Sequence, residues 1–273
     1  MYKKVSILVV LILFLPVANN LSFEKEQHEA PLYEAEMQES PAVAAASAST
    51  SQRHVLAELG STSWCPSCPR ATETIKKVYE SGDLPFYYMT LVYDLNDVAQ
   101  WRGRQFSDAY IPMLYIDGGY LVVDSVTEFS YTKAIEDALE RDVHDVALAM
   151  QAEWRGNAIS ITLDVTNGGN SPYFGNVRVC VMEVNSRWQN QAGDNYSYAF
   201  MDYALNTYAF IGGGDTKSYT ITWDNTQQME QGNTMILAYA ANWLPHLQKN
   251  PWEQPKPVRF LAQFVDNACA VEI

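Results

Sequence analysis

Cys65-Pro66-Ser67-Cys68 carries the clearest chemistry in this chain. A C-x-x-C pair can form a disulfide, exchange it with another thiol, or supply half of a metal site. The apolar run from His54 to Gly60 before it reads as a buried strand. Arg70 to Tyr79 after it has apolar residues at helical spacing. The first sulfur then lies at a helix N-terminus, where unpaired N–H groups favour thiolate over thiol. The second lies about one turn further on, within reach of the first. A zinc site would need a second pair at similar spacing, but Cys180 and Cys269 stand alone with no histidine nearby, so no metal is expected.

The elements that must position this pair follow in order. Leu84 to Tyr93 reads as a second buried strand, and Asp94 to Tyr110 as mostly helical with Asn96 or Asp97 as cap. Ile111 to Val123 carries a proline, a strand, a Gly-Gly turn and another strand, which reads as a hairpin. Thr127 to Arg141 completes the series as an amphipathic helix, with Phe129, Ala134, Ile135, Ala138 and Leu139 as its inner face.

This β-α-β-α-β-β-α order, with Trp64-Cys65-Pro66-Ser67-Cys68 opening the first helix and Ile111-Pro112 opening the third strand, resembles the thioredoxin-like superfamily. The resemblance spans residues 53–142. Cys65-Pro66-Ser67-Cys68-Pro69 is further similar to secreted thiol-disulfide oxidoreductases, loosely those of the Omp28-type group. The resemblance implies Cys65 as the exposed nucleophile and Cys68 as the resolving thiol. It also implies a cis Ile111–Pro112 bond facing the disulfide and docking the substrate backbone, with Trp64, Pro66 and Ser67 in support. Ser67 is placed to donate a hydrogen bond to a Cys65 thiolate. Many members carry a buried acid six residues before the first cysteine; here that position is Leu59. Proton handling would fall to neighbouring Glu58, although strand alternation points it to the other face, or to water. No cofactor is implied, because the dithiol is itself the redox group.

Beyond residue 142 the pattern changes to short alternating runs with Gly/Asn punctuation. They are 147–154, 158–165, 177–184, 198–210, 217–223, 235–241 and 259–265. These predict an all-β, immunoglobulin-like sandwich over residues 143–273. Cys180 shares a strand face with Arg178 and Met182. A Cys180–Cys269 disulfide pinning the tail is one expectation; two free thiols are the other. Asn242 to Pro257, with Trp243, His246 and Trp252, reads as a loop.

Lys3 and Lys4 precede an apolar stretch from Val5 to Ala18, so residues 1–22 are expected to direct export. Pro16 stands where a cleavage site wants a small residue, so a cleaved signal and an uncleaved anchor both remain compatible. Residues 23–52, acidic and then Ala/Ser-rich, read as a disordered linker. The 273-residue chain carries a formal charge of −14, which argues against nucleic acid and anionic membranes as partners. The expected function is extracytoplasmic thiol-disulfide exchange on cysteine-containing exported clients, recharged by an upstream redox partner. Membrane contact would come only through an uncleaved N-terminal segment. The competing reading is a non-catalytic secreted or surface binding protein in which Cys65–Cys68 is a structural bond.

Overall fold

A computed structural model describes residues 46–50, 52–107, 110–251 and 258–273. Strands dominate. β1 (Ala46–Thr50), β6 (Val146–Arg155), β7 (Ala158–Asn167) and β10 (Thr216–Asp224) form a four-stranded sheet in the order β1-β6-β7-β10. A second sheet has eight strands. They are β2 (Val55–Ser61), β3 (Phe86–Val92), β4 (Met113–Ile116), β5 (Leu121–Val123), β8 (Tyr173–Gln189), β9 (Asn195–Ile211), β11 (Thr234–Lys249) and β12 (Arg259–Glu272). Their order is β12-β11-β8-β9-β3-β2-β4-β5. Three helices occur among the described residues: α1 (Cys68–Glu80), α2 (Asp97–Gln105) and α3 (Glu128–Leu139).

The sequence expectation of an α/β thioredoxin-like domain followed by an immunoglobulin-like sandwich is therefore corrected. The fold is predominantly β, and β2 to β5 do not make a sheet of their own. They continue the sheet of β8, β9, β11 and β12, so the boundary drawn at residue 142 runs through the middle of a shared sheet. The join is slight, a parallel contact of β3 with β9 at Thr90 and Ala199, reinforced where Thr90 Oγ1 donates to the carbonyl of Ser197 at 2.9 Å.

Packing explains why the halves stay together. Leu56, Met89 and Tyr115 from one half share a buried cluster with Cys180, Met182, Leu237 and Tyr239 from the other. The opposite face of β8, β9 and β11 packs on the four-stranded sheet through Val177, Val179, Ile236 and Ala238 against Leu148, Ile161 and Leu163. The opposite face of β2 and β4, through Val55, Ala57, Leu59 and Leu114, receives α1 and α3. β2 and most of β8 thus lie between two packed layers, which accounts for their unbroken burial.

Several local expectations are met and several are not. Asn96 caps α2, its Oδ1 accepting from the N–H groups of Val98 and Ala99. On α3 the buried face is Tyr131, Ala134, Ile135 and Ala138, at helical spacing. Phe129 falls off that stripe and stands 78 % exposed. The expected linker contributes β1, whose Ala46 to Thr50 pair antiparallel with β6. The expected loop from Asn242 is instead the far end of β11, paired with β12 as far as Lys249 opposite Arg259. The expected export segment, residues 1–22, and Trp252 lie outside the described residues. No helix among the described residues is long and apolar enough to cross a membrane.

Candidate functional site: the Cys65–Cys68 disulfide

The site is built where β2 ends. Ser61 closes the buried strand, and residues 62–67 turn the chain into α1. Cys65 and Cys68 are bonded, with their Cα atoms 5.4 Å apart. Trp64, Pro66 and Ser67 are exposed, Trp64 by 63 %, whereas Cys65 is 2 % exposed and Cys68 fully buried. Cys68 is the first residue of α1 and shares its inner face with Ala71, Ile75 and Val78.

Ser67 is the N-cap residue, yet its hydroxyl makes no capping bond. Its Oγ lies 3.6 Å from Cys65 Sγ. The first turn of α1 holds no acidic residue. The N-terminal N–H groups and the positive end of the helix dipole therefore meet no competing side-chain charge on the first turn of α1, an arrangement that favours a thiolate once the bond is opened.

Two residues that the sequence did not single out hold the loop. Asp94, just beyond β3, accepts from the Ser63 N–H at 2.9 Å through one oxygen and from the Ser63 hydroxyl through the other. Tyr196, buried on β9, donates from its hydroxyl to the Thr62 carbonyl at 2.9 Å and lies 3.1 Å from Ser61 Oγ. The same Thr62 carbonyl accepts from the Cys65 N–H. Asp94 carries the weak signal of an acid between a strand and a capped helix; Tyr196 lies on a strand 131 positions from Cys65 and carries none. Removing the hydroxyl in Tyr196→Phe leaves Ser61 and Thr62 short of a buried partner. We expect a loss of about 1–3 kcal/mol in denaturant unfolding, with faster amide hydrogen exchange at Cys65 than at α3.

The remaining predicted residues divide. Ile111 and Pro112 are half-buried, and the bond between them is cis. Met113, the first residue of β4, pairs with Gly60, so Pro112 leads into β4 at the end of β2 from which the cysteine loop departs. Glu58 is elsewhere. It sits on the Leu56 face of β2, opposite the face that receives α1, and both its oxygens accept from Arg102 of α2 at 2.7 Å. A carboxylate held by an arginine on the wrong side of the strand is not placed to handle the Cys68 proton. The expected Cys180–Cys269 bond is likewise corrected, for both are free and buried. Cys180 pairs with Leu237 and Cys269 with Ala238 on the strand between them, β11. Neighbouring positions on one strand face opposite ways, so the two sulfurs belong to different cores. Burial raises both thiols, Cys269 up to about 12 and Cys180 also well upward, which keeps them protonated and unreactive.

No protein-family model matches the sequence, and no curated protein matches it. The fold does have solved counterparts. HBP35 of Porphyromonas gingivalis superposes with a TM-score of 0.62 at 12 % identity, over 80 % of this chain and 74 % of that one. A protein of Agrobacterium tumefaciens superposes with a TM-score of 0.48 at 14 % identity, over 82 % of this chain and 96 % of that one. The likeness to HBP35 is one of fold. With the strand-dominated architecture, it replaces the thioredoxin-like and Omp28-type resemblance as the description of this chain. It lends no support to the oxidoreductase label that the resemblance carried. Any claim for exchange chemistry rests on the cysteine pair itself. Among the described residues, no group of three or more His, Cys, Asp or Glu side chains is gathered to hold a metal.

Proposed function

We propose that this protein performs thiol–disulfide exchange through Cys65 and Cys68 on cysteine-containing client proteins outside the cytoplasm. The observation that carries the reading is the position of the bond. It links residues three apart at the start of one helix, so it ties no two distant elements together, and it lies beside an exposed tryptophan. Structural disulfides gain most when they close long loops; this one closes almost none. The extracytoplasmic setting rests on Lys3, Lys4 and the apolar run after them.

In the reducing direction, the Cys65 thiolate attacks one sulfur of a client disulfide, and the other client sulfur leaves as thiolate. Cys68 then attacks Cys65 in the mixed disulfide and releases the client's second thiolate. The client gains two electrons and the Cys65–Cys68 pair loses two. The oxidising direction is the same sequence reversed. Cys65 takes the external role because it sits in the loop before α1 whereas Cys68 is fully buried on the inner face of α1, and Trp64 offers the apolar surface a client would meet.

A second reading is favoured by one observation, the 2 % exposure of Cys65: a secreted binding protein in which the bond is structural. A trapping experiment separates the two. With Cys68→Ser, client mixed disulfides at Cys65 should accumulate on non-reducing gels, and with Cys65→Ser they should not. Equal yields from both variants, or none from either, would remove the exchange reading and leave the binding protein.

A further inference from the structure

The face of the large sheet that packs Cys180 and Met182 against Leu56, Met89 and Tyr115 carries a groove lined from α2, β8, β9, β11 and β12. Along β8 the residues on that face run Met182, Cys180, Arg178, Asn176 and Phe174, from apolar core through a polar band to an aromatic rim. β9 sets Asn206 opposite Arg178 and Tyr208 opposite Asn176. Trp101 of α2 and Trp243 of β11 form walls, and the resulting groove encloses about 640 Å³.

The floor of this groove holds a charge without a counter-charge. Arg178 is 5 % exposed. It donates to the hydroxyl of Tyr239 at 3.0 Å, to Asn206 Oδ1 at 3.2 Å and to Gln105 Oε1 at 3.5 Å, all neutral acceptors. Among the described residues no carboxylate forms an ion pair with it, and the neighbouring Glu58 is already committed to Arg102 on both oxygens. A buried guanidinium ordinarily has a carboxylate or similar partner. Beside it, Asn176 is 3 % exposed and gives its Nδ2 to Asn206 at 3.3 Å, which leaves its buried Oδ1 with no donor. The walls add two half-exposed indoles and the exposed ring of Tyr208.

An anion, an N–H donor next to it and an apolar body satisfy all three features at once. We propose that the groove binds an acylated α-amino acid with a free carboxylate: the carboxylate on Arg178, the amide N–H on Asn176 Oδ1, and the side chain against Trp101 and Trp243. Arginine suits the carboxylate because its planar fork matches both oxygens. Such a group occurs as the C-terminal residue of a polypeptide or as a free N-acyl amino acid. This site is independent of the exchange reading, since no residue of the groove belongs to the cysteine loop.

Calorimetric titration of the full chain tests it, with N-acetyl-L-phenylalanine and its uncharged carboxamide as probes. The acid should bind at least about tenfold more tightly than the carboxamide, a difference of about 1.4 kcal/mol. Arg178→Met should erase that difference. Trp243→Ala, at a half-exposed position, should weaken both probes several-fold and keep the preference for the acid. A tetrapeptide ending in phenylalanine assigns the source: tighter binding than the acetylated residue points to polypeptide C-termini, and equal binding to free N-acyl amino acids. Equal affinity for acid and carboxamide in the wild type, no saturable binding of either, or binding untouched by Trp243→Ala would overturn the proposal.

Discussion

Arg102→Met should destabilise the protein by about 3–5 kcal/mol in denaturant unfolding, the cost of leaving one member of a buried ion pair alone. Glu58 is fully buried on the central strand β2, and both its oxygens depend on the Arg102 guanidinium. Arg102 also donates to Gln105 Oε1 at 2.6 Å and lies over the ring of Phe106, 4.2 Å from its centroid. Burial alone would lower the arginine's pKa, but the adjacent carboxylate overrides it and holds the value well above the ordinary one, so the guanidinium stays charged at every working pH. Replacing both partners together, as Glu58→Leu with Arg102→Met, removes both charges and should recover most of the loss, because apolar pairs of similar volume replace buried ion pairs at little or no cost. A double variant as unstable as Arg102→Met alone would mean that shape, rather than charge, is what the pair supplies.

Cys65→Ala should abolish exchange, by at least about a thousandfold, the scale on which removing a nucleophile acts. Its stability should fall much less. A bond between residues three apart removes only about 2 kcal/mol of chain entropy from the unfolded state, even in the loop-closure picture that treats disulfides most generously. Model-client reduction and oxidation would read the first effect, and chemical denaturation the second. A variant that unfolds outright while the wild type shows no exchange would identify the bond as structural.

The sequence was most legible where structure is local. The burial of β2, the cap at Asn96 and the strand face of Cys180 follow from residues within a few positions of one another. So do the seven strand positions after residue 142. What failed was non-local. The order β-α-β-α-β-β-α with its cysteine and proline motifs suggests a closed domain, whereas its strands continue a larger sheet. No local pattern announces that β9 lies beside β3 through Thr90 and Ala199, and that contact merges the two halves. Whether Cys180 and Cys269 meet depends on the register of both strands on β11 between them, which alternation within each strand leaves open. Of the candidate site, the cysteines, Trp64, Ser67 and Pro112 were visible as a motif. Asp94 and Tyr196, which hold the loop, and Arg102, which takes Glu58 away from it, are contributed by other strands and helices. Phe129 is apolar, but its position around α3 lies off the stripe of Tyr131, Ala134, Ile135 and Ala138.

The most direct test of the exchange account is the equilibrium between the bonded and dithiol forms of Cys65 and Cys68 in graded glutathione buffers, read by thiol alkylation and intact mass. The account predicts a two-electron transition within reach of such buffers, between about −270 and about −120 mV, with a value near the lower end marking an electron donor and one near the upper end an oxidant. A pair that stays bonded across every buffer would contradict the account and leave Cys65–Cys68 as a structural bond in a binding protein.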